Sequence, residues 1–264
     1  MRTRASSLAL GAFCALVYAF LLAPIVVVIG ASLNAGAFLT FPPQGVSLRW
    51  FIKFLNNPVF TDAILASLQL AGAATVISAV VGSAAALYYV RHAGKRKEAL
   101  RLAILLPLVL PEILTAMALL FFFYQIGVGT KYWIAMLVGH VLITLPFVFL
   151  NVATSLHGFD PNWELASRSL GATRWTAFRR ITLPLMKSGL ITGCLFAFII
   201  SFDDFGVSFL LKDAGAATLP LQLFDYLRFN FTPEAAAVST ASIVLTLIAI
   251  LLGERLVGLT TQRF

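Results

Sequence analysis

From Ala63 to Val90 this chain carries no charged side chain. A bilayer core of about 30 Å is crossed by about 20 apolar residues in a helix, each rising about 1.5 Å. In hydrocarbon every backbone N–H and C=O must find its partner inside the protein, so a run of this kind is read as a membrane-spanning helix. Six such segments are found: Leu8 to Ser32, Ala63 to Val90, Leu102 to Gln125, Tyr132 to Leu156, Ser188 to Leu211 and Ala235 to Gly253. The third is broken by Glu112, and the fifth by Asp203 and Asp204. The start, Met-Arg-Thr-Arg, mimics a signal peptide, but the apolar run that follows is too long for one and is kept as a span. With 60% hydrophobic and 11% charged residues, a soluble domain of 264 residues is excluded. The expected fold class is all-α: a polytopic membrane protein with six transmembrane helices, in which residues 1–264 form a single transmembrane domain.

The net charge of +8 raises the question of nucleic acid. The basic residues sit in clusters between apolar runs, which is the pattern of topology signals, so no nucleic-acid partner is expected. With the N-terminus in the cytoplasm, 14 of the 19 Lys and Arg residues fall on the inner side. Both ends are therefore expected inside, with membrane lipid around the spans. Cys14 and Cys194 lie within apolar runs and are expected as packing residues. No Cys/His set has metal-ligand spacing, there is no nucleophile elbow, and no Gly-x4-Gly-Lys-Ser/Thr loop is present. The chain is not expected to be an enzyme or to hold a metal or cofactor. In the first outer loop, "SLRWFIKFLNN" places Leu48, Phe51, Ile52 and Leu55 at helical intervals, as a short interfacial helix would.

The longest inner loop, residues 158–184, is the most structured in pattern. Asp160 is a good N-cap, with Pro161 at the first helical position. Gly171 suits a left-handed turn that ends a first short helix, and Thr173 suits the cap of a second. The second carries Trp175 and Phe178 among Arg174, Arg179 and Arg180, and Pro184 leads into the fifth span. Setting topology requires the arginines alone. Caps, a turn glycine and aromatic residues rimmed by arginine describe a docking surface.

Acids within apolar spans are costly, at roughly +2.5 to +3.5 kcal/mol for Asp at a helix centre. Glu112 lies 11 residues beyond Arg101, ~16 Å from the inner interface, and Asp203 lies 16 beyond Lys187, ~24 Å from it. Levels so similar allow both acids to face one central cavity. There a carboxylate offsets part of the desolvation of a passing cation. Other roles stay open: Asp203 and Asp204 as caps at a helix break, and Glu112 paired with a buried donor such as His140. Pro107 and Pro111 flank Glu112 and predict a kink there in any case.

The inner loop resembles the coupling loop (the Glu-Ala-Ala loop) of ABC importer permeases. Gly171, then Ile181, Leu183 and Pro184, match the spacing from that family's glycine to its closing apolar-x-Leu-Pro. The front departs: Leu165 and Ser167 stand for the glutamate and second alanine, only Ala166 is retained, and Glu164 sits one place early. "FPPQGVSLRWF", "SFDDFGVSFLL" and "TLPLQLFDYLR" resemble the second permease subunit of spermidine/putrescine importers.

The resemblance implies a type I ABC importer permease fold in a bacterial inner membrane. It implies a homologous second permease subunit, two ATPase subunits that bind ATP and Mg, and a periplasmic or lipid-anchored solute-binding protein. It implies that Glu164, Ala166, Gly171, Ala172, Arg174, Trp175, Phe178, Ile181, Leu183 and Pro184 serve the ATPase-coupling loop. Glu112, Ser201, Asp203 and Asp204 would serve the substrate pathway, most simply for a polyamine. Permeases for opines, aminoethylphosphonate, thiamine or ferric ion are alternatives within the same group. A self-sufficient secondary carrier or channel is the alternative outside it, but the symmetric pair of broken helices it needs is not seen.

The topology is testable. Reporters fused after residues 95 and 170 are expected to read cytoplasmic, and those after 45 and 215 external. A consistent contradiction at either inner loop overturns the six-span arrangement.

Overall fold

The computed structural model describes residues 2–92, 94–130, 133–160, 162–212 and 217–258. Pro161 and Tyr132, used in the reading above, lie outside them, as do Lys131 and Arg263 among the basic residues counted there. The helices are α1 (Arg2–Ser32), α2 (Arg49–Leu55), α3 (Pro58–Arg91), α4 (Lys97–Val109), α5 (Glu112–Gln125), α6 (Trp133–Ser155), α7 (Asn162–Ser169), α8 (Arg174–Ala177), α9 (Leu183–Phe202), α10 (Gly206–Leu211), α11 (Leu219–Leu227) and α12 (Pro233–Val257). Among the described residues no strand forms; an isolated bridge joins Asn34 and Val46.

Five helical stretches are long and apolar enough to cross a membrane: Ser7–Ser32, Pro58–Arg91, Trp133–Ser155, Arg174–Phe202 and Pro233–Leu256. A sixth is a pair, Gly94–Val109 and Glu112–Gln125, bent by 103°. The expected break at Glu112 is thus a sharp fold of the helix. Leu110 precedes Pro111, and the proline ring drives the residue before it out of the helical region. Leu110 accordingly adopts φ −76°, ψ 142°. Glu112 then falls in the first turn of α5. The fifth span also breaks where expected, since α9 ends at Phe202 and α10 begins at Gly206. One expectation is corrected. The second helix of the inner loop is not separate from the fifth span: α8 runs through a π-helical turn, Phe178–Thr182, directly into α9. Pro184 has no N–H to bond the preceding turn, and the wide turn accommodates it without ending the helix.

The described residues form two compact units, residues 1–61 with 223–245, and residues 62–222 with 246–264. In the first, buried Asn34 organises the loop after α1. Its side chain donates to Phe38 O (3.0 Å) and Thr40 Oγ1 (2.9 Å) and accepts from Gly36 N and Gln44 N. In the same unit Glu234 is 1% exposed and accepts from Lys53 Nζ at 2.7 Å, Tyr226 OH at 3.0 Å and Asn57 Nδ2 at 3.3 Å. A buried carboxylate needs this many partners. Its hydrogen bond also holds the Lys53 ammonium above the usual lysine range. Helix α2 forms as expected, with its Leu48, Ile52 and Leu55 stripe outward and Trp50 and Phe54 buried. Trp50 is drawn in because its indole N–H donates to Asn34 O at 2.9 Å.

In the second unit α6 packs along α9, and small residues set how closely. A Cβ on Gly189 would lie 2.2 Å from Asn151 O, and one on Gly193 would lie 2.8 Å from Val148 Cα. Close backbone approach through small residues is how helices associate where no hydrophobic effect separates lipid from leucine. A buried hydrogen bond of 2.8 Å between Ser78 and Thr144 ties α3 to α6. Outside, large apolar side chains such as Val76, Val80 and Phe121 are exposed, as a lipid-facing surface requires.

Gly189→Leu and Gly193→Leu are expected to force α6 and α9 apart and to cost about 1–3 kcal/mol of stability. Gly72→Ala, with open space around its Cβ position, is expected to be near neutral. Thermal unfolding of the detergent-purified protein checks this. A wild-type melting temperature for both leucine variants contradicts the packing argument.

Candidate functional site

The two helix breaks of the second unit meet. A cavity of about 720 Å³ is lined by Pro107, Leu108, Leu110, Glu112 and Ile113 from one break, and by Ile200, Asp203, Asp204, Phe205 and Gly206 from the other, with Ile143 and Phe147 of α6. Three of the four expected pathway residues are therefore brought together. Glu112 Oε1 accepts from Val207 N at 3.3 Å, so an acid at one break holds the first turn of the helix after the other. Asp204 Oδ2 accepts from Ser208 N at 2.9 Å within its own break, which is the capping role left open above. Glu112 and Asp204 thus face one cavity from the two breaks. Carboxylates that share a cavity repel one another, and a cation between them relieves that repulsion. Asp203 is exposed to the cavity, and among the described residues its carboxylate has no hydrogen bond or ion pair.

Ser201, the fourth expected residue, is 2% exposed and does not line the cavity. Its hydroxyl bonds His140 Nδ1 at 2.8 Å, while His140 Nε2 lies 3.1 Å from Ser208 Oγ and 3.4 Å from Asp204 Oδ2. His140 is fully buried and braces Asp204. Glu112 is held by the Val207 amide, not by a direct bond to His140 as the sequence allowed. Gly206 escaped the sequence reading. A Cβ there would lie 2.6 Å from Glu112 Oε1, so only glycine leaves the carboxylate its place.

The inner loop is built as its pattern predicts. Asp160 Oδ1 accepts from Asn162 N at 2.9 Å at the start of α7. Gly171 has φ +92° and closes α7: Ala172 N donates to Ser167 O and Gly171 N to Arg168 O. Those two bonds form a Schellman motif, which favours glycine at this position. Thr173 Oγ1 accepts from Thr176 N at 3.2 Å and caps α8. Trp175 is 67% exposed and stacks on Phe178, with ring centroids 5.7 Å apart. Trp175, Thr176, Arg179 and Arg180 line a shallow depression of about 360 Å³, and Arg174 is exposed beside them. Ala166, Leu183 and Pro184 are exposed, and Ala172 and Ile181 are half-buried. Glu164 is not part of that outward surface. It bonds the Arg91 guanidinium and the Thr182 hydroxyl, and Arg91 Nη2 also donates to Thr182 Oγ1 at 2.9 Å. Arg91 was legible only as a topology charge, because its partners lie far off in sequence.

Comparison with known proteins places these features. Residues 78–264 match the family described as binding-protein-dependent transport system inner membrane component. The spermidine/putrescine transport system permease protein PotC of Haemophilus influenzae is 32% identical over 244 residues, covering 92% of this chain and 94% of that protein. The putrescine transport system permease protein PotI of Escherichia coli is 30% identical over 229 residues, covering 84% of this chain and 81% of that protein. Among solved structures, a bacterial ABC transporter involved in the import of the acidic polysaccharide alginate aligns with a TM-score of 0.69 at 16% identity, covering 96% of each chain. That last likeness is one of fold.

His140→Leu is expected to leave the buried Ser201 and Ser208 hydroxyls without their shared partner and to lower stability by about 1–3 kcal/mol. The check is thermal unfolding of the purified protein. An unchanged melting temperature removes His140 from the bracing role given to it here.

Proposed function

This chain belongs to the family of binding-protein-dependent transport system inner membrane components, and from that premise we propose that it carries a polyamine such as spermidine or putrescine inward through the cavity at its paired helix breaks. It is a membrane permease of the ABC importer fold. The observation that carries the substrate reading is the meeting of Glu112, Asp203 and Asp204 on one cavity between broken spans. Carboxylates there favour an ammonium over a neutral or anionic solute. The two polyamine permeases among its relatives support the same class.

In this reading residues 1–264 work as one transmembrane permease domain with both ends in the cytoplasm. A homologous second permease completes the pathway. A solute-binding protein delivers the polyamine from outside, and two ATPase subunits bind ATP and Mg below. Residues 158–184 form the loop that seats on the ATPase. Leu170, Trp175 and the neighbouring arginines present an apolar anchor with a cationic rim, the composition of a docking surface. Closure of the ATPases on ATP then shifts the permease between outward- and inward-open states.

The three acids separate structural from transport roles. Asp203 holds no backbone group, so Asp203→Asn is expected to leave folding and ATPase co-purification intact while uptake of labelled polyamine into proteoliposomes falls roughly tenfold, about 1.4 kcal/mol in the limiting step. Asp204→Asn and Glu112→Gln are expected to reduce uptake and also melting temperature. Full uptake by all three variants in assembled complexes contradicts the cationic pathway.

A further inference from the structure

We propose that Arg91, Glu164 and Thr182 form a strut that carries movement of the docking loop into the membrane helices, with Arg91 as its positioning residue; the inference rests on the importer reading above. Arg91 is the last residue of α3, where a cation is favoured by the helix C-terminus. Its guanidinium joins three pieces of chain. It pairs with Glu164 on α7, donates to Thr182 at the end of the π-helical turn, and lies 5.7 Å above the ring of Phe159, which itself packs edge-on against Trp163. The Thr182 hydroxyl bonds Glu164 as well, so each member touches the other two. Thr182 is fully buried and the two charged groups are 23% exposed, which shields the trio from the screening that weakens surface pairs. Among the described residues no other Lys or Arg of the inner loops is ion-paired.

The location gives the strut its role. A force on the docking loop enters through α7 and the Gly171 turn. The continuous helix Arg174–Phe202 leads from there to Asp203, but its first part contains the π turn and Pro184, where the hydrogen-bond ladder is interrupted. Without a brace that interval absorbs displacement. Arg91 and Glu164 pin Thr182, the last residue of the π turn, to α3 and α7 together, so α7 moves α3 and α9 as a unit. The position of Glu164, one place ahead of the glutamate in the coupling-loop pattern, is what turns it toward Arg91 and leaves exposed Leu165 on the outer face.

The test uses the complete importer in proteoliposomes, with Arg91→Gln, Glu164→Gln, Thr182→Val and the swap Arg91→Glu/Glu164→Arg. The single variants are expected to assemble with the ATPase, while ATP hydrolysis stimulated by loaded binding protein and uptake both fall about tenfold. The swap is expected to recover most of the loss, which a merely local packing role would not produce. Unchanged stimulation and uptake in the single variants overturns the strut. So do single variants that fail to assemble and are not recovered by the swap, since the trio then serves folding alone. A wild-type complex that does not couple ATP to uptake overturns the importer reading itself and the strut with it, an outcome separate from normal wild-type coupling with indifferent variants.

Discussion

A helix interrupted inside hydrocarbon exposes backbone N–H groups that water does not reach, and the arrangement of this molecule's second unit follows from how those groups are satisfied. The breaks at 110–112 and 203–206 lie together, and carboxyl groups serve the amides of the helix that restarts at Gly206. Glu112 takes Val207 N from across the gap, and Asp204 takes Ser208 N from its own side. The short α10 is held to α5 and α6 by the Glu112–Val207 bond and by the packing of Val207 and Leu211. Gly206 gives the Glu112 carboxylate room, and His140 with Ser201 and Ser208 fills the space behind with matched donors and acceptors. Acids that are expensive in a membrane thus stand where the backbone itself needs acceptors.

What was legible in the sequence is what acts over short distances. Apolar runs set the spans, Pro111 set the bend through the residue before it, and Asp203 and Asp204 marked where the fifth span stops. The Gly171 and Thr173 signals were read correctly because a Schellman turn and an N-cap are closed within six residues. Depth counted from helical rise put Glu112 and Asp203 near one level, and they line one cavity. The bond of Glu112 to the Val207 amide and the pairing of Arg91 with Glu164 were not legible, since each depends on which helices become neighbours. The apolar stripe of α2 predicted the helix but not its orientation, which the Trp50 bond to Asn34, the Lys53–Glu234 pair and buried Phe54 fix together. The join of α8 to α9 was missed because a proline usually marks a helix end, and a π turn removes the clash that makes it so.

The three acids do not contribute equally to this frame. Asp204 is buried and committed to the Ser208 amide and to His140, so changing it changes the restart of α10. Glu112 is committed to Val207 on one side and open to the cavity on the other. Asp203 supports no backbone group among the described residues and faces the cavity. In the proposed pathway, a frame organised in this way separates the charge needed to keep broken helices intact from the charge offered to a solute. The first kind cannot be lost without a compensating acceptor, whereas the second can vary without refolding. That separation is consistent with one fold serving relatives named for spermidine and putrescine and a transporter involved in the import of an acidic polysaccharide. Hydrogen bonds at the breaks hold the restart of the helix at Gly206, and in the proposed pathway the residue beside them that holds nothing else is where solute charge is most easily matched.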